Sequence, residues 1–265
     1  MASRLPVIRL QPTRVLDWWP ATGASAELLR QAYPRAQRVP VIPFGPDDPA
    51  PPAAVRPWWS PRRWAGLPGG GPEPVAASDL QPAAGELLWA NMMLHWCDDP
   101  LAEMRRWHQA LAVDGVLMFA TFGPGTLATL REVYRARRWS SPHAPFVDMH
   151  DLGDMLVEAG FADPVMDQET LTLTWPDAAA MFAELRTLGA NVDPARHAGL
   201  RTPRWRRQFA DALTATGAAP AGRLALDFEI VYGHAFRPPP RPRVAAQTTV
   251  GLQDMRSILR HRPER

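Results

Sequence analysis

The stretch that decides the fold runs from Glu86 to Thr121 and contains Leu87-Leu88-Trp89-Ala90, then Pro100 to Leu111, then Gly115-Val116-Leu117-Met118-Phe119-Ala120. The first and third pieces are apolar at every position, whereas a strand with one wet face alternates. Such runs predict parallel strands covered on both faces. Parallel neighbours need a crossover, which 100–111 supplies as a helix. Pro100 suits a first helical turn, where its missing N–H costs nothing, and Asp114-Gly115 makes the turn into the next strand.

Working outward, Met1 to Phe44 reads as strand, turn, helix and strand, with Arg14-Val15-Leu16-Asp17 as the first strand and Ala24 to Tyr33 as a helix stopped by Pro34. Pro40 to Pro82 holds twelve prolines and Gly69-Gly70-Gly71, which predicts a long loop with one remnant strand. Thr126 to Arg138 and Asp148 to Ala159 have helical spacing, the second ending at Gly160. Thr170 to Trp175 alternates strictly, and Leu224 to Phe236 begins as a strand of the same kind. Between these two, Pro176 to Leu188 and Pro203 to Ala215 read as helices, an excursion large enough to lie over the end of a sheet. Pro238-Pro239-Pro240 ends the fold, and Gln253 to Arg260 is expected to form a short tail helix.

Composition narrows the function classes. The chain has 265 residues, 46% hydrophobic and 21% charged, which are globular values. No run reaches the roughly 20 apolar residues of a membrane span, and Met1 to Leu10 lacks a signal-peptide pattern, so a cytoplasmic protein is expected. A single cysteine, Cys97, permits neither an internal disulfide nor a CxxC pair and reads as an inert thiol. All 29 basic residues are Arg, and against 27 acids they leave a net charge of +2, which does not call for nucleic acid. Only residues 237–265, with seven Arg against Asp254 and Glu264, raise that alternative. His143, Asp148, His150 and Asp151 are metal-ligating types, yet they read better as a helix start with Asp148 as N-cap, and no metal is expected. Trp18-Trp19, and Trp58-Trp59 beside Arg62 and Arg63, read as packing residues rather than base-stacking platforms.

In an open parallel sheet, ligands bind beyond the carboxyl ends of the strands. The residues there are Asp17 to Ser25 after the first strand, Asn91 to Asp99 after 87–90, and Thr121-Phe122-Gly123-Pro124-Gly125 after 115–120. Leu88-Trp89-Ala90-Asn91-Met92-Met93-Leu94-His95-Trp96-Cys97-Asp98-Asp99-Pro100 resembles the segment after the fourth strand of class I S-adenosylmethionine-dependent methyltransferases. More narrowly, it resembles the malonyl-acyl-carrier-protein O-methyltransferases of biotin synthesis. Gly115 to Leu127, Pro145 to Asp151, Leu156 to Asp167 and Phe228 to Ala235 are similar to the same family.

The resemblance implies an α/β, Rossmann-like, mostly parallel sheet with helices on both faces. Residues 1–236 are then a methyltransferase-like domain with a helical lid at 176–216, followed by a basic tail at 237–265. It implies S-adenosylmethionine as cofactor, held by Asp17, Gly23, Asp79, Leu80, Asn91, Leu94, His95 and Trp96. The acceptor is the carboxylate of a malonyl group on an acidic acyl-carrier protein, with His143, His150, Arg201 and Tyr232 lining its pocket. No catalytic base is assigned, because a carboxylate of pKa near 4 is already ionised at pH 7.

The family carries an Asp followed by three glycines at alternate positions. Here Asp17 and Gly23 fit, while Trp18, Trp19, Pro20 and Ala21 fill the stretch between, and Val39 to Phe44 contains no carboxylate for the ribose hydroxyls. These departures leave a second reading open, a methyltransferase-like protein that binds an acidic carrier or partner without moving a methyl group. Arg201, Arg204, Arg206 and Arg207 around Trp205 are either a solvated charged face or a dock for an acidic carrier.

Overall fold

Asp17 and Trp18 are consecutive residues that leave the first strand on opposite faces, and both faces prove to be covered. The computed structural model describes residues 1, 4–5, 8–20, 25–42, 72–189, 191–216 and 222–240. Gly23, Trp58-Trp59, most of the proline-rich loop and the expected helix at 253–260 lie outside the described residues.

Strands β1 (Arg14–Trp18), β2 (Gln37–Ile42), β3 (Val75–Ala76), β4 (Gly85–Asn91), β5 (Leu111–Phe122), β6 (Ala162–Trp175) and β7 (Leu224–Phe236) form one sheet in the order β3-β2-β1-β4-β5-β7-β6. Every pairing from β3 to β5 is parallel, and β7 runs antiparallel to both β5 and β6. Strand order reverses between β1 and β4, which opens a crevice beyond their carboxyl ends. The helices are α1 (Ser25–Ala32), α2 (Pro100–Ala110), α3 (Ala128–Ala136), α4 (Met149–Glu158), α5 (Ala178–Leu185) and α6 (Pro203–Thr216).

Alternate residues of the central strands feed two cores. Leu16, Trp18, Leu88, Ala90 and Phe119 pack with α2 and α4 through Met104, Trp107, Leu152 and Leu156. Val15, Leu87, Trp89, Val116 and Met118 pack with Leu29 and Tyr33 of the α1 segment. Burial on both faces is why these strands are apolar at every position. A third cluster joins β7 to α3, α5 and α6 through Phe228, Val133, Met181 and Phe209.

Several boundaries differ from the sequence expectations. The chain stays extended through Pro40, which pairs with Asp17 of β1, so β2 reaches Ile42 before the loop begins. Among the described residues β3 pairs only with Val41 and Ile42, so β2 is an edge at Pro40 and a residue without an N–H is tolerated there. Asp114-Gly115 is not a free turn: β5 starts at Leu111, Asp114 adopts φ 62°, and the register with β4 shifts between Gly85 and Leu87. β6 begins eight residues before Thr170. Its first half, Ala-Asp-Pro-Val-Met-Asp-Gln-Glu, lacks a strand composition, which this edge strand tolerates, with Pro164 at a register shift and most side chains exposed.

Trp18 is fully buried, and its indole N–H donates to Oε1 of the buried Glu103 in α2 at 2.6 Å. Trp18→Ala is expected to reduce unfolding free energy by about 3–5 kcal/mol, through a cavity and the loss of the donor to Glu103 Oε1. A urea titration would show a lower midpoint with an unchanged slope.

Candidate active site at the carboxyl edge

Asp17 closes β1 with a side chain wholly removed from solvent. Burial raises its carboxyl pKa, and Arg38 of β2, whose Nη1 donates to Asp17 Oδ2 at 2.6 Å, opposes that rise. Oδ1 has no hydrogen-bond partner among the described residues. Trp19 follows at φ 57°, a left-handed conformation that costs a side-chain-bearing residue about 1–2 kcal/mol. Its N–H donates to the carbonyl of Val41 at 2.7 Å, and its half-buried ring packs on the α2 side of the sheet. The turn therefore keeps the backbone shape of a glycine at the first glycine position of the family pattern.

At the end of β4, Asn91 is half-buried and pairs with Ala120. The next turn, Leu94–Trp96, sends Leu94 into the core and holds His95 in an aromatic nest. The His95 ring lies 4.6 Å from Phe122, 5.5 Å from Trp96 and 6.1 Å from Phe146 between centroids, with Nδ1 3.4 Å from the Thr121 hydroxyl. Burial lowers its pKa to about 4, so the imidazole is neutral at pH 7. Burial likewise pushes the Cys97 thiol up to about 12, which leaves it unreactive. Beyond β3, Asp79 is exposed and accepts from the Ser78 hydroxyl at 3.1 Å, while Leu80 packs on the core.

The expected acceptor residues separate into two groups. His143 stacks on Phe146 at 4.7 Å and 17°, joining the His95 nest; its Nε2 is buried with no partner among the described residues. Arg201 lies 4.5 Å over the Trp205 ring and reaches the Ser140 hydroxyl at 3.4 Å, beside a pocket of about 180 Å³ that includes Ser141, Asn191 and His197. His150 instead sits exposed on the first turn of α4, bonded to Asp148 at 2.8 Å. Tyr232 shares a cross-strand row with Ala120 and Asn91, but the Arg4 guanidinium covers its ring at 3.8 Å and its hydroxyl donates to Glu169.

Phe122, Phe146, Arg38 and Glu103 were not singled out as site residues from the sequence. The runs containing Phe122 and Phe146 carried the family resemblance, which was the available signal. Gly189, between α5 and α6, adopts φ 134° and lies against Trp96 so closely that a Cβ would overlap the indole. The connection between these helices therefore rests directly on the turn after β4.

Strand order, the single reversed strand and the crevice at the ends of β1 and β4 define the class I methyltransferase fold. Residues 2–163 match the methyltransferase domain family. The chain is 38% identical to the malonyl-[acyl-carrier protein] O-methyltransferase of Laribacter hongkongensis over 99% of its own length and 86% of that relative. It is also 38% identical to the protein of that name from Gallionella capsiferriformans, over 91% of this chain and 82% of the relative. The chain belongs to this family of malonyl-[acyl-carrier protein] O-methyltransferases. Among solved structures, YcgJ of Bacillus subtilis aligns with TM-score 0.53 at 12% identity, covering 86% of this chain and 93% of that one. A methyltransferase-like protein of Bacillus halodurans aligns with TM-score 0.53 at 13% identity, covering 90% and 98%; both likenesses concern the fold. The cofactor of the class is S-adenosylmethionine.

Because His95 takes up its proton near pH 4 in the folded chain and near pH 6.5 when unfolded, the unfolded state binds more protons between these values. The stability His95 contributes is therefore present above about pH 6.5 and lost as pH falls toward 4, by about 3 kcal/mol in total. Denaturant midpoints of the wild type and His95→Gln across this range are expected to show that difference, with the wild type losing relative stability in acid.

Proposed function

We propose that the chain transfers the methyl group of S-adenosylmethionine to the free carboxylate of a malonyl group held as a thioester on an acyl-carrier protein, a step of biotin synthesis. The observation that carries this reading is the match, along nearly the whole chain, to relatives named for that reaction. Bound S-adenosylmethionine supplies a methyl carbon on a cationic sulfonium, whose sulfur keeps the electron pair of the broken bond.

The described residues at the crevice suit such a group. Asp17 offers one buried carboxylate oxygen without a partner among the described residues, the right acceptor for an ammonium. Trp19 preserves the left-handed turn through which the loop leaves β1. Asp79 and Leu80 beyond β3, and Asn91 at the end of β4, are assigned to the adenosyl part, and His95 with Trp96 to the wall. Gly23 belongs to the same site as an expectation from the family pattern.

The malonyl carboxylate attacks as the anion it already is, so the protein needs no general base. Its work is placement of the anion in line with the methyl carbon and exclusion of water. The nest of His95, Phe122 and Phe146 serves both ends. It is apolar, and its imidazole carries no charge that would repel a sulfonium. His143 and Arg201 are assigned to the acceptor side, where the guanidinium favours a carboxylate and the His143 Nε2, without a partner among the described residues, provides a further polar contact. The segment 176–216, resting on Trp96 through Gly189, acts as the lid over that side.

Incubation of the purified chain with S-adenosylmethionine and malonyl-carrier protein should yield the methyl ester, read by mass spectrometry of the intact carrier. Binding of the carrier without ester formation would instead establish the non-catalytic alternative. Asp17→Asn should raise the dissociation constant for S-adenosylhomocysteine about ten- to a hundredfold, as expected for losing one charge-assisted hydrogen bond. Isothermal titration checks it.

A further inference from the structure

The α5–α6 insertion carries a feature separate from the crevice at the ends of β1 and β4. The two helices meet through Phe182 and Phe209, whose ring centroids are 4.8 Å apart. Beside that seam lies an open groove of about 380 Å³, lined by Phe182, Ala183 and Ala210 together with Arg186, Arg206 and Arg207. All three arginines are exposed, and among the described residues none forms an ion pair. Between residues 178 and 210 there are six Arg against two acids, and both acids are engaged elsewhere. Glu184 accepts from the Trp175 indole at 2.6 Å, and Asp193 accepts from the Ala195 amide at 2.7 Å.

We propose that this groove docks an acidic helix of the acyl-carrier protein that delivers the acceptor, with its carboxylates against Arg186, Arg206 and Arg207 and an apolar side chain over Phe182, Ala183 and Ala210. The proposal rests on the malonyl-carrier reaction above. Alanine-lined grooves let a partner helix approach closely, and unpaired guanidinium groups at the edge select negative charge and speed encounter. Charge also excludes other occupants. A second copy would bring the same positive face against itself, and residues 237–265, with seven Arg against two acids, would be repelled. Nucleic acid matches the charge but presents no apolar side chain to this lining. Trp205 lines the pocket beside Arg201 and Arg206 lines the groove, so acceptor and carrier would occupy adjoining flanks of α6.

The test is titration of fluorescently labelled malonyl-carrier protein with the purified chain, read by anisotropy at low and high salt. Affinity should fall as salt rises. The double variant Arg206→Glu/Arg207→Glu should bind at least about tenfold more weakly at low salt, and Arg186→Glu should reproduce the direction from the other helix. Circular dichroism confirms that the variants are folded, and a carrier with its acidic helix reversed to Lys should recover binding to the double variant. If wild type and variants bind equally while the ester still forms, the docking surface is overturned and the reaction stands. If charge reversal abolishes binding but the wild type forms no ester, the reaction is overturned and the surface stands. Self-association lost in the variants would assign the groove to a second copy. Displacement of the carrier by single-stranded DNA of equal affinity would assign it to nucleic acid, and either result overturns the proposal.

Discussion

A carboxylate stripped of water needs a cation, and at the carboxyl edge of this sheet that cation comes from the neighbouring strand. In the parallel register of β1 and β2, Asp17 lies opposite Pro40 and Arg38 is two residues earlier, so the two side chains share a face and meet diagonally. A shift of one residue would turn Arg38 to the other face and leave a buried charge alone. The register thus secures Asp17 through one oxygen, and among the described residues its second oxygen has no hydrogen-bond partner.

Trp18 does the complementary task on the opposite face. Its indole reaches Glu103 near the start of α2, and burial raises the pKa of that carboxyl while the indole bond and Arg106 lower it. Two adjacent residues therefore tie the exit of β1 to β2 on one side and to the α2 layer on the other. The large rings in place of small residues are not simply bulk added to the crevice: one belongs to the core, and the other packs on the same side of the sheet.

What the sequence made legible follows from where information is local. Leu87 to Ala90 and Gly115 to Ala120 were readable as parallel strands because two-sided burial removes polar residues from a short contiguous run. The first half of β6 was not: on this edge strand Asp, Pro and Glu are tolerated, and a register shift at Pro164 leaves no clean alternation there, unlike Thr170 to Trp175. At the carboxyl edge, the family resemblance drew Asp17, Asn91, His95 and Trp96 together as candidates, since each lies at the end of a strand or just after one. Arg38, Glu103, Phe122 and Phe146 depend on register and crossovers that place distant residues side by side. His150 is a pocket candidate through the resemblance alone, and in the fold its backbone N–H donates to Asp148, the N-cap of α4 two residues earlier.

The left-handed φ at Trp19 has a genetic side. Tryptophan is specified by the single codon TGG, and one base change gives GGG, a glycine codon. Since the main chain already holds the shape glycine adopts freely, that replacement requires no rearrangement of the turn. The residue at this turn thus stands one nucleotide from glycine, at a position whose main chain would accept either.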